Sequence, residues 1–116
     1  TVAGVTTLFR TSLEKINKTK EGRVFILNLF KECCDISKLN GYKIRRNIKK
    51  SHENFFLNSN SNVKASMLID MEKQFLTEHK HIFLDFIKLG KKKGFEANIL
   101  ENIYLNMIVY EDSILI

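Results

Sequence analysis

Proline occurs nowhere in this chain of 116 residues, and glycine occurs only five times, at Gly4, Gly22, Gly41, Gly90 and Gly94. Strand-rich folds need frequent turns, and these two residues supply most of the backbone geometry that turns require. A chain so poor in breakers is expected to be all-α. At this length one domain is predicted over residues 1–116, able to bury roughly 65% of its unfolded surface.

Apolar residues recurring every three or four positions mark out five or six helices. Thr1 to Phe9 reads as the end of a helix begun upstream. Thr11 stands three residues before Glu14, the spacing of a capping box, so a short helix is predicted over Ser12 to Asn17. Val24, Leu27, Phe30 and Cys34, with Ile26 and Leu29 beside them, predict a helix from Glu21 to Leu39 that stops at Gly41. A third should run from Tyr42 or Lys43 to Leu57, turning Ile44, Ile48, Phe55 and Phe56 inward and Arg45, Arg46, Lys49 and Lys50 outward. Asn58 to Asn62 is a loop by composition, because short polar side chains compete with helix for backbone hydrogen bonds. Beyond it, Ala65 to Lys73 makes a short helix. Thr77 is placed to cap a helix carrying Ile82, Phe83, Phe86, Ile87 and Leu89 as far as Lys93, and a last helix covers Asn98 to Val109 with Ile99, Leu100, Ile103 and Met107 on one side.

The chain is 44% hydrophobic and 28% charged, too apolar for disorder. A formal charge of +6 invites a nucleic-acid partner, but 15 of the 19 basic residues are lysine, which fits solvated helix faces better. Nucleic acid is therefore not the expected partner. No apolar run approaches the roughly 18 residues of a membrane span. Cys33 and Cys34 are adjacent, a poor geometry for a disulfide, and a reducing cytoplasm fits them as packing residues. His79 and His81, two apart on a helix, point to different sides, so no metal site is expected. The start at Thr1 without a methionine suggests a piece of a longer protein.

One segment is richer than a plain bundle needs. Ser66 and Asp70 stand one helical turn apart and can reach the same ligand, and Glu78 follows eight residues later. Ala65-Ser66-Met67-Leu68-Ile69-Asp70, then Thr77-Glu78, then Leu89-Gly90-Lys91-Lys92-Lys93-Gly94 resembles the S-M-x-x-D, T-E and L-G-K-x-x-G signature of the carboxy-terminal domain of ketopantoate reductases.

The resemblance implies a helical bundle like the carboxy-terminal domain of 6-phosphogluconate dehydrogenase. It also implies a role in reducing 2-dehydropantoate to pantoate with NADPH, for pantothenate and coenzyme A synthesis. By it, Ser66 and Asp70 would bind the substrate, and Glu78 would orient both substrate and a catalytic lysine lying upstream of Thr1. The cofactor would be held by an amino-terminal dinucleotide-binding domain, since no G-x-G-x-x-G occurs at any glycine here. This chain alone is then expected to be inactive. The implied partners are a small 2-oxo acid, that Rossmann domain and, through the apolar tail at Ile114 to Ile116, a second subunit.

The sequence departs from the pattern at several points. Lys80, Phe83 and Leu84 replace the aspartate and the Asn-Gly pair that follow T-E in the family. Ala3 and Val63 stand where asparagines are usual, and Glu96 and Asn98 where prolines are. Competing readings are a reductase of a different 2-oxo acid, a helical interaction module without catalysis, or a nucleic-acid-binding module using the Lys43 to Lys50 patch.

Overall fold

A computed structural model describes residues 1–58, 69, 72–73 and 81–114. These form six helices, α1 (Val2–Phe9), α2 (Leu13–Asn17), α3 (Lys20–Leu39), α4 (Arg46–Phe56), α5 (His81–Lys91) and α6 (Asn98–Ile114), with no strand among them. The expected all-α class holds. The predicted loop from Ser59, the predicted helix at Ala65 to Lys73 and the Thr77 cap lie almost wholly outside the described residues.

α3 is the central element, packing against α2, α5 and α6, while α1 packs against α2 and α6. Its buried side is Ile26, Leu29, Phe30, Cys34 and Ile36. That row meets Leu100, Ile103 and Met107 of α6, Phe83 and Ile87 of α5, and Val5 of α1 in one apolar cluster. Leu13, Ile26, Leu29, Ile36, Ile103 and Met107 are fully enclosed. Each contributes about 1.5–3 kcal/mol by leaving water.

Glycine and threonine bring α1 close to this core. A Cβ on Gly4 would come within 2.9 Å of Ile103 Cδ1 and 3.0 Å of Leu29 Cδ2, so the missing side chain lets the helix sit low. Thr6 and Thr7 are buried without cost to their hydroxyls, which donate to the carbonyls of Val2 (2.7 Å) and Ala3 (2.6 Å). α1 ends at Arg10, whose φ of 56° is left-handed, and the Arg10 guanidinium donates to Asn106 Oδ1 and lies over the Tyr110 ring on α6.

α3 and α5 stop by the same device. Gly41 (φ 90°) and Gly94 (φ 74°) each take the left-handed position. The amides of Tyr42 and Phe95 reach back to the carbonyls of Ser37 (2.9 Å) and Gly90 (2.9 Å), the six-to-one bond of a Schellman motif. A Cβ on Gly90 would crowd the Phe95 carbonyl at 3.3 Å and Ile36 at 3.4 Å. The Leu89 to Gly94 segment is thus a helix stop with a packing glycine.

Several boundaries and orientations differ from the sequence expectation. The residue at the start of α2 is Ser12, not Thr11. α3 is capped instead by Thr19, whose Oγ1 accepts from the Gly22 amide at 2.9 Å. Thr19→Ala should therefore lower stability by about 1 kcal/mol in urea titration, with the slope of the transition unchanged. α4 starts at Arg46, one turn later than predicted, with Arg45 at its N-cap. α5 ends at Lys91, and α6 runs on to Ile114. Val24, Ile48, Phe55, Ile82 and Leu89, all expected inside, are 40–49% exposed. The core-facing side of α3 runs through Ile26 and Leu29, selected by the packing of α2, α5 and α6 against that helix.

Candidate functional site

The three residues singled out from the sequence, Ser66, Asp70 and Glu78, lie outside the described residues. What the structure shows is a cavity of about 300 Å³ bounded by the start of α1, α3, α4 and the start of α5. α1 presents Thr1, Ala3 and Gly4 to it, and α3 presents Leu29, Phe30, Cys33, Cys34 and Ser37. Ile44, His52 and Phe56 close the side at α4, while Ile82, Phe83 and Phe86 of α5 and Leu100 of α6 complete the wall.

The wall is aromatic and aliphatic with few polar groups. Phe30 meets Phe56 edge-on at 5.1 Å between ring centres, and the His52 ring stacks on Phe30 at 5.8 Å. His52 is thus part of an aromatic group at the rim, though still exposed to solvent. Among the described lining residues there is no carboxylate, lysine or arginine. Burial pushes both the Cys33 and Cys34 thiols up from their ordinary value, with the nearby Lys49 ammonium opposing this at Cys34. Thiols held protonated are poor nucleophiles and poor metal ligands. They pack, as the sequence suggested.

Ala3 and Phe83, which the sequence resemblance sets against asparagines, both line this cavity, one from α1 and one from α5. Phe83 is 5% exposed. Substituting an amide at either place would put a polar group into the wall.

A residue that sequence reading passed over organises the neighbourhood. Glu32 on α3 is buried, and its Oε1 and Oε2 accept from the amides of Ile99 (3.2 Å) and Leu100 (3.0 Å). Those are first-turn amides of α6, which have no partner within their own helix. The residue at the head of that helix, Ala97, has no side-chain oxygen to offer, and its carbonyl receives the Glu101 amide. Glu32 therefore caps α6 from another helix. Burial raises its pKa above the ordinary carboxylate value, against the two amides that lower it. The absence of a capping side chain at 97 was the signal in the sequence.

The basic residues of α4 are turned outward as predicted, Arg45, Arg46 and Lys50 exposed and Lys49 partly covered. Among the described residues no group of three metal-ligating side chains converges, and no helix is long and apolar enough to cross a membrane.

The described residues form an all-helical unit built round one long helix, with a partly open, largely apolar cavity beside it. The chain belongs to the family described as ketopantoate reductase PanE/ApbA C terminal, whose model matches residues 1–111. It is 31% identical over 109 residues to the uncharacterized oxidoreductase YkpB of Bacillus subtilis (strain 168), covering 94% of this chain and 36% of that protein. Its fold is similar to that of dimeric ketopantoate reductase from Staphylococcus aureus, with a TM-score of 0.83 and 16% identity. That match covers 97% of this chain and 39% of the other. The chain thus spans between a third and two fifths of the length of these proteins.

Proposed function

We propose that this chain is the substrate-side domain of an NADPH-dependent 2-oxo acid reductase of the ketopantoate reductase kind, working beside an amino-terminal dinucleotide-binding domain in the cytoplasm. The observation that carries the reading is the family match over residues 1–111 together with the Ser66, Asp70 and Glu78 spacing inside it.

Reduction of a 2-oxo acid adds a hydride to the ketone carbon and a proton to its oxygen, giving a 2-hydroxy acid. NADPH would supply the hydride. This chain's glycines do not fit a dinucleotide. Gly4 and Gly22 are packing positions inside helices, Gly41 and Gly94 end helices, and Gly90 packs under Phe95. The cofactor is therefore assigned to the other domain, and this one supplies groups around the substrate. The Ser66 hydroxyl donates to the substrate, with Asp70 beside it. Glu78 holds the upstream lysine in place and keeps it protonated, so that a cation faces the oxygen as negative charge builds there.

The test uses the full-length parent protein. Glu78→Ala should lower kcat/KM for NADPH oxidation with the best 2-oxo acid by about 10- to 100-fold, or roughly 1.4–2.7 kcal/mol, without changing the circular dichroism spectrum. Unchanged turnover would remove Glu78 from the site.

A further inference from the structure

We propose that the end of the bundle where α3 and α5 stop and α4 begins binds single-stranded nucleic acid, its phosphates held by lysine and arginine and one base stacked on Tyr42. This goes beyond the proposed reductase role and does not depend on it.

The surface is assembled by the fold from two segments far apart in the chain. Asn40 Nδ2 donates to the Leu89 carbonyl at 3.3 Å, which joins the end of α3 to the end of α5. Lys38, Lys43, Arg45 and Arg46 lie within six residues of Asn40, and Lys88, Lys91, Lys92 and Lys93 within four of Leu89. All eight are exposed. No carboxylate occurs from Ile36 to Ser51 or from Phe86 to Phe95. Among the described residues, Lys91 alone of the eight meets a carboxylate, Glu101 at 3.9 Å.

That much charge exceeds what the helices themselves use. A helix C-terminus carries about −0.5 of an elementary charge, which one lysine in the last turn already balances. Two such ends meet here, and eight cations leave the surface strongly positive. Lysines scattered over solvated faces would carry no such meaning, but these are gathered at one end. A chain of phosphates, repeating its charge at every nucleotide, complements so broad a patch better than one small anion does.

Tyr42 selects the single strand over the duplex. Its amide is tied to the Ser37 carbonyl at 2.9 Å in the turn that ends α3. Its ring is 74% exposed. Tyr42, Phe86 and Leu89 line one groove between the two helix ends, with Ser37 and Asn40 as polar groups in it. An aromatic ring held in water among cations offers its face to an unpaired base, whereas a duplex keeps its base faces stacked inside.

The test follows the fluorescence anisotropy of a labelled oligothymidylate of about 15 nucleotides with the full-length parent protein. Binding is expected at about 50 mM salt and should fall steeply toward about 200 mM. Tyr42→Ala should weaken it at least about fivefold with the salt dependence unchanged, while Tyr42→Phe, which keeps the ring, should bind like the wild type. Changing Arg45, Arg46, Lys92 and Lys93 together to glutamine should weaken it at least about tenfold and flatten the salt dependence. Lys15, Lys18 and Lys20 are also exposed, but they sit on α2 and at the start of α3, and a helix of 20 residues holds its two ends about 30 Å apart. Their change to glutamine should alter affinity less than about twofold. These side chains are all exposed, so each variant should melt with the wild type. Absence of binding at the lower salt overturns the proposal, as does a loss from the Lys15, Lys18 and Lys20 set equal to that from the other. It is equally overturned if Tyr42→Ala has no effect, if a duplex of the same length binds as tightly, or if the protein is retained by phosphatidylserine vesicles and not by the oligonucleotide.

Discussion

Replacing Glu32 by alanine is expected to lower the stability of the chain by about 2–4 kcal/mol, since it leaves the buried Leu100 amide and the partly buried Ile99 amide without acceptors, at about 1–3 kcal/mol for a fully buried one. A thermal melt should shift down by roughly ten degrees or more. Glu32→Gln keeps one acceptor oxygen and should lose less. The pH dependence has a definite sign. The folded pKa of Glu32 is raised above its unfolded value, mainly by burial, so the folded state binds the proton more tightly. The associated stabilisation is fully present below the unfolded value, near 4.5, and is lost as pH rises through the higher folded value. The gap between the wild type and Glu32→Ala is therefore widest near pH 4 and narrows toward neutrality. Denaturant titrations of both proteins at matched pH would show it, and a gap that widened with pH would contradict the assignment.

Gly22→Ala should destabilise by about 1–2 kcal/mol, opposite in sign to what its place in a helix suggests. Alanine is favoured over glycine in helices by about 1 kcal/mol, and Gly22 lies in the first turn of α3. Yet a Cβ there would stand 2.0 Å from the Ile16 carbonyl oxygen and 2.7 Å from Thr19 Oγ1. The first is backbone and cannot rotate away. Relief requires moving α2 away from α3, which disturbs buried Leu13 and Ile16 and pulls Thr19 off the amide it caps. Overpacking of this kind costs about 1–3 kcal/mol, sometimes more, and outweighs the propensity gain. A urea midpoint at or above that of the wild type would show that the α2–α3 junction yields more readily than its geometry implies.

The helical class and the order of the elements were legible because they depend on local pattern: no proline, apolar residues at three and four, and glycine at helix ends. Which side of each helix faces inward was less so. Val24 and Ile26 are both apolar, and only the positions of α2, α5 and α6 around α3 decide that Ile26 is enclosed and Val24 is half exposed. Ile48 and Phe55 fail for a similar reason, since α4 touches the core chiefly through Phe56, which packs on Phe30. Glu32 was missed because a charged residue reads as an outward one unless its partners are known, and these lie 67 and 68 residues away in the chain. The proposed site residues Ser66, Asp70 and Glu78 stand on a spacing within a family pattern alone, and they lie outside the described residues. The cavity had no sequence signature, because five helices contribute to it and its apolar character shows only when Ala3 and Phe83 are found on a common wall.

The cap on α6 also bears on the order of events in folding. Helical bundles fold quickly because their contacts are local, and most of α6 can form that way. Its first turn cannot finish alone, since the acceptors for Ile99 and Leu100 arrive on α3. Those two amides, at a position where helices ordinarily fray, become protected only after the two helices dock. Their exchange with solvent is thereby tied to the opening of the whole core rather than to the breathing of a helix end.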